Sequence, residues 1–136
     1  MPSIRDVMTS NPETIEPGKP ATEAAKVMKK ADVGMVPVVI EGELFGTITD
    51  RDIVVRGIAE GKDIKLTNVG ELASRDVVVV EPDGDLEDAL RLMAEHQVRR
   101  LPVVDDGRLV GVIAQADVAR MADGRVVGEV VESISR

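Results

Sequence analysis

The sequence predicts an α+β fold in which two β-α-β-β-α repeats pack face to face with pseudo-two-fold symmetry. Three observations predict it. The chain aligns with itself at an offset of 65 residues, Pro37 falling on Pro102, without a gap from Val7/Leu72 to Ile53/Val118. Strand-like and helix-like hydrophobic patterns follow one another in the same order in both copies. Turn residues also recur at matching places, with Glu41-Gly42 answering Asp106-Gly107. A single copy is too small to cover both faces of its sheet, whereas two copies pressed together bury them and create two related clefts.

Each copy begins with a short strand, Thr14-Ile15 or residues 77–80, followed by a turn rich in Pro, Gly and Asp. An amphipathic helix follows, with apolar residues at Ala24, Val27, Met28 and Ala31, or at Leu86, Ala89, Leu90 and Met93. Asp85 is placed to cap the second of these helices, with Asp88 three residues on. Two β-rich runs come next, 36–40 with 44–49 and 101–104 with 109–114, and the Glu-Gly and Asp-Gly pairs between them signal hairpins. A second helix closes each copy, over about 50–59 and about 115–121. Repeat one is thus expected over 1–60, a linker over 61–70, repeat two over 71–122, and a tail over 123–136 that reads as a short amphipathic helix.

Composition narrows the functions. The 136 residues carry a net charge of -8, which argues against nucleic acid and against an anionic membrane surface. Cysteine is absent, excluding disulfides, thiolate-bound metals and thiol catalysis. The opening residues lack a signal-peptide core, and no apolar run approaches the ~18 residues of a membrane helix, so a soluble cytoplasmic protein is expected. Phe45 is the only aromatic residue, so a ring-shaped ligand would be held between aliphatic side chains. An anionic ligand would need a local cluster of positive charge.

The residues with most chemical content end the first hairpin: Gly46-Thr47-Ile48-Thr49-Asp50-Arg51-Asp52. A hydroxyl and a carboxylate stand three apart at a strand-to-helix corner, after a glycine that permits close backbone approach. The Thr49 hydroxyl and the helix amides suit an anionic or polar group, and the Asp52 carboxylate, which only accepts hydrogen bonds, matches the paired hydroxyls of a ribose. Thr-x-x-Asp is equally a variant of the helix capping box. In the second copy, Gly111-Val112-Ile113-Ala114-Gln115-Ala116-Asp117, the cap hydroxyl is lost and the aspartate remains, which hints at another task for Asp117.

The duplicated unit resembles a tandem pair of CBS domains, the regulatory Bateman module, in its small stand-alone prokaryotic form. The resemblance covers nearly the whole chain. It lies in Asp6-Val7-Met8-Thr9, Val36-Pro37-Val38-Val39, the run from Gly46 to Ile53, and Val98-Arg99-Arg100-Leu101-Pro102-Val103-Val104. Members of that family bind adenosine-containing ligands such as AMP, ADP, ATP or S-adenosylmethionine between the repeats. The resemblance implies that Thr49 and Asp52 hold ribose and phosphate in one site and that Asp117 holds ribose in the other. Thr14, Ile15, Met35, Val36 and Pro37 would grip adenine in the first site, as would Val79, Val80, Arg100, Leu101 and Pro102 in the second. Arg99 and Arg100 supply the cluster of positive charge and would reach phosphate across to the opposite copy's site, and Arg51 is placed to do likewise. Because copy two has Ala114 in place of Thr49, the Asp52 site is expected to be the stronger.

Other conspicuous residues have structural readings. His96 has no second His or Cys to share a metal and reads as a surface or interface residue. Met28 and Met93 read as core, and Glu41, Glu43, Asp105 and Asp106 as a solvated rim around the turns. Asp50 and Asp52 are two apart with no nucleophile beside them. No catalytic or metal-binding residue is therefore expected, and no required cofactor. The expected function is regulatory, in a homodimer associating through Ile53-Val54-Val55 and the Val118-Ala119/Met121 face, with an unidentified protein receiving the signal. The alternative is a ligand-free dimerisation or scaffold module.

Overall fold

The structure, a computed structural model, describes residues 2–121; the tail expected over 123–136 lies outside them. The described residues form two compact units: one is Glu13–Val77, and the other joins residues 2–12 to residues 78–121.

In the first-repeat unit, Ala21–Ala31 form helix α2, with Ala21, Ala24 and Met28 buried. The helix stops at Asp32, whose left-handed backbone (φ 56) ends the turn, and Gln97 does the same (φ 54) at the matching place in the second repeat. Strands β2 (Met35–Ile40) and β3 (Glu43–Thr49) form the predicted antiparallel hairpin, with Met35 opposite Thr49, Val36 opposite Ile48 and Pro37 opposite Thr47. Glu41 and Gly42 both adopt positive φ (51° and 86°), the twist a tight hairpin needs. The expected first strand contracts to a single parallel bridge from Ile15 to Val38, secured by hydrogen bonds from Ile15 N–H to the Pro37 carbonyl (3.1 Å) and from Val39 N–H to the Ile15 carbonyl (2.9 Å). After β3 the chain turns into the helix expected there, which winds as a π-helix over Asp52–Gly57 and tightens over Ile58–Glu60.

The expected linker is integral to this unit. Val69–Leu72 form the short helix α3, and Val69 and Leu72 join Ile15, Ala24, Met28, Val36, Ile48 and Ile53 in the core. The chain then bridges to β3: Thr47 N–H donates to the Ser74 carbonyl (3.0 Å) and Ser74 N–H to the Thr47 carbonyl (2.8 Å). Gly46 makes this approach possible, since a Cβ there would stand 2.2 Å from the Ser74 carbonyl oxygen. The missing side chain at Gly46 thus admits the protein's own backbone.

The second-repeat unit repeats the plan. Helix α4 (Leu86–His96) buries Leu86, Ala89, Leu90 and Met93, as predicted. Asp85 holds the N-cap position, its carbonyl accepting the Asp88 N–H (3.1 Å), but its side chain makes no capping hydrogen bond. Strands β4 (Arg100–Asp105) and β5 (Arg108–Ala114) pair with Arg100 opposite Ala114 and Leu101 opposite Ile113, and Val80 bridges to Val103 as Ile15 does to Val38. Helix α5 (Gln115–Ala119) follows directly. Strand β5 also pairs with β1 (Thr9–Ser10), with Ser10 opposite Gly111, and helix α1 (Ile4–Val7) places Ile4 in this core beside Val80, Leu90, Leu101 and Val118. The carboxylate of Asp6 accepts the Ser3 backbone N–H (2.9 Å) and the Ser3 hydroxyl (3.1 Å), and these bonds hold its pKa below the usual value.

Ile4 and Val69 are equivalent in the duplication, as are Thr9 and Ser74. Each repeat's leader therefore packs in the unit built around the other repeat's hairpin, which sequence alignment alone does not reveal. Of the expected dimer surface, Ile53 (5% exposed) and Val118 (0%) belong to the two cores, whereas Val54, Val55, Ala119 and Met121 are exposed, as is Ile58 outside that surface.

Because the Ser74 carbonyl leaves no room at position 46, Gly46→Ala should lower unfolding stability by about 1–3 kcal/mol in a denaturant titration. Gly18→Ala, with nothing within 4 Å, should change it by no more than about 0.5 kcal/mol. Equal effects would contradict the packing.

Candidate functional site

The two strand-to-helix corners share one backbone geometry. In the first-repeat unit, Asp50 N–H donates to the Gly34 carbonyl (3.0 Å), tying the start of the helix to the residue before β2. In the second, Gln115 N–H donates to the Arg99 carbonyl (2.8 Å). This bond and the hairpin register bring Met35, Thr49 and Asp52 to one end of the first hairpin. They bring Arg100, Ala114 and Asp117 together at the same end of the second. Thr49, Asp52, Arg100 and Asp117 are all partly exposed.

At the first corner both readings of Thr-x-x-Asp find support in the geometry. The Thr49 hydroxyl accepts the Asp52 N–H (3.0 Å), and Oδ2 of Asp52 accepts the Thr49 N–H (2.9 Å), a reciprocal cap at the helix start. The hydroxyl thus accepts within the helix start, and its O–H is left to donate to an anionic or polar group. Among the described residues, Oδ1 of Asp52 has no hydrogen-bond or ionic partner. The carboxylate both caps the helix and keeps acceptor capacity for paired hydroxyls.

At the second corner Ala114 leaves the cap incomplete, and an arginine engages the carboxylate instead. Arg120 Nη2 donates to Asp117 Oδ1 at 2.5 Å, with the Asp117 side chain 19% and the Arg120 side chain 75% exposed. This partner was missed in the sequence, although its three-residue spacing on a helix is the signal that would have found it. The side-chain nitrogen of Gln115 is buried with no hydrogen-bond partner among the described residues.

The other expected contacts divide. Ile15 lies beside Pro37, and Val80 beside Pro102, through the bridge hydrogen bonds. Val36, Leu101 and Val80 are core residues, so their side chains are occupied within their own units and mainly their backbone is left to contact a ligand. Pro37 and Pro102 are likewise buried. Met35 is partly buried, and Val79, Arg51 and Arg99 are exposed. Thr14 is drawn toward the turn end of the first hairpin, where with Ile15, Glu16, Lys19, Val39, Glu41 and Gly42 it lines a shallow depression of about 340 Å³. Met28 and Met93 are buried and His96 is exposed. Among the described residues no group of three or more His, Asp or Glu is arranged to hold a metal ion, and no helix is long and apolar enough to cross a membrane.

Comparison with known proteins agrees with the duplication. The CBS domain family matches residues 4–57 and again 69–124. The chain is 47% identical over 119 residues to the CBS domain-containing protein YhcV of Bacillus subtilis, covering 88% of this chain and 84% of that protein. The crystal structure of CBSX2 in complex with AMP superimposes with a TM-score of 0.76 at 31% identity, covering 87% of this chain and 93% of that one. The CBS domain pair of MJ0100, solved with 5′-methylthioadenosine and S-adenosyl-L-methionine, gives 0.77 at 29% identity, covering 88% and 98%.

The reciprocal bonds at the first corner predict energetic coupling. Thr49→Ala and Asp52→Ala should each cost about 1 kcal/mol of stability, and the double mutant should cost less than their sum by about 0.5 kcal/mol or more. Asp117→Ala, which breaks a pair with a largely exposed arginine, should cost at most about 1 kcal/mol. Strict additivity of Thr49 and Asp52 in denaturant titrations would contradict the cap.

Proposed function

The chain belongs to the CBS domain family as a tandem pair, and from that premise we propose that it is a regulatory module that binds an adenosine-containing ligand of the AMP, ADP, ATP or S-adenosylmethionine type. The observation that carries this reading is the matched pair of corners. Each holds an aspartate carboxylate at the first turn of a helix, partly exposed and with acceptor capacity left over. A ribose presents two adjacent hydroxyl donors, which such a carboxylate can accept together. The bound ligands of CBSX2 and of the MJ0100 pair share an adenosine moiety, which supports the same class here.

In this reading Asp52 and Asp117 accept ribose hydroxyls. Met35, with the backbone around Pro37 and Pro102, offers contact to adenine in a chain that has no aromatic residue but Phe45. Arg51, Arg99 and Arg100 meet phosphate. The module performs no turnover. Ligand acts by preferring one conformational state, since equal affinity for two states shifts neither. A homodimer formed through Val54, Val55, Ile58 and Met121, which expose apolar surface, would carry that preference to an unidentified regulated protein in the cytoplasm.

A second reading has its own observation. The closed Thr49–Asp52 cap accounts for both side chains without a ligand, as expected of a dimerisation or scaffold module. Thermal denaturation separates the two. AMP, ADP, ATP or S-adenosylmethionine at 100 times its dissociation constant should add about 2.7 kcal/mol of stability and raise Tm. Asp52→Ala should weaken binding at the first repeat by about 10- to 100-fold, measured by calorimetry on folded variant. No rise in Tm with any of the four would overturn the sensor reading in favour of the scaffold.

A further inference from the structure

We propose that Arg120 makes the Asp117 corner selective for phosphorylated adenosine ligands. The proposal rests on the reading of Asp117 as a ribose acceptor and adds the ligand charge that the second repeat prefers.

The two corners differ in charge around the carboxylate on a shared backbone, and the first has Arg51 where the second has Ala116. Position 120 is an arginine where the first repeat has Val55, position 100 is an arginine where the first has Met35, and position 99 is an arginine where the first has Gly34. Arg120 holds Oδ1 of Asp117 through Nη2 at 2.5 Å. Asp52 has no ionic partner among the described residues, and its neighbour Val55 is 42% exposed and apolar.

A bare carboxylate that binds ribose also stands close to the phosphate on the same sugar and repels it. An ion-paired carboxylate does not, because the guanidinium cancels its field at short range. The Arg120 guanidinium has five N–H donors in a planar fork, of which Asp117 uses one, so the rest can meet a phosphate while Oδ2 of Asp117 meets the ribose. The exposure of the pair fits this role. Asp117 is mostly sheltered and Arg120 is three-quarters exposed, a combination that contributes little to folding yet leaves the cation facing solvent where an incoming anion arrives.

The test uses the full chain and reads each repeat separately by NMR, through the backbone amides of Ala116, Asp117 and Val118 for the second and of Asp52 and Ile53 for the first. Adenosine and ADP are titrated at fixed ionic strength. At the second repeat ADP should bind at least about tenfold tighter than adenosine. Arg120→Gln should remove most of that preference while leaving adenosine affinity within about twofold. Arg120→Lys, which keeps a charge but loses the fork, should retain part of it. An unchanged ADP-to-adenosine ratio in Arg120→Gln, or an equal loss of both ligands, would overturn the proposal. If neither ligand moves the 116–118 amides of the wild type, the ribose-acceptor reading fails first and takes this selectivity with it.

Discussion

Two backbone hydrogen bonds set the geometry on which the site depends: Asp50 N–H to the Gly34 carbonyl and Gln115 N–H to the Arg99 carbonyl, at 3.0 and 2.8 Å. Each ties the first residue after a strand to the residue before that strand's hairpin partner. The hairpin therefore closes at the end opposite its turn, and the helix must leave in one direction. Two residues later comes the aspartate, whose position follows from backbone rather than from side-chain packing. This explains how the corners keep one shape although Asp50 and Gln115, or Gly34 and Arg99, have little chemistry in common.

A backbone held in this way leaves the surrounding side chains free to diverge. At the first corner the carboxylate is bound into the helix start by Thr49, and at the second it is paired with Arg120. The cores show the opposite behaviour. Ile15 and Val80, Met28 and Met93, Val36 and Leu101, and Ile53 and Val118 fill equivalent places with apolar groups of similar size. Packing tolerates little change where every neighbour is fixed, whereas a half-exposed corner tolerates much. The duplication is thus most faithful where it stabilises and least faithful around the carboxylates, where the ligand would be met.

Much of this was legible in the sequence. The repeat offset, the hairpins with their Glu-Gly and Asp-Gly turns, the buried faces of α2 and α4 and the strand-to-helix corners all follow from local periodicity and turn chemistry. The exchange of leaders was not legible. Ile4 and Val69 look like ordinary apolar residues in their own copies, and nothing local says that each packs with the other copy's hairpin. The close backbone approach expected at Gly46 is found, but the sequence did not name its partner, because Ser74 is a long-range neighbour. The first strands were overestimated because Ile15 and Val80 each secure only one bridge. At the site, the cap and the carboxylates follow from the motif, whereas the Arg120 pair lies one helical turn beyond it and depends on three-residue spacing.

The central claim is that the corner aspartates receive a ribose. A crystal structure of the chain grown with AMP tests it most directly. The account predicts ribose hydroxyl oxygens within about 2.5–3.0 Å of the carboxylate of Asp52, of Asp117, or of both. AMP bound with its ribose away from both carboxylates would contradict it.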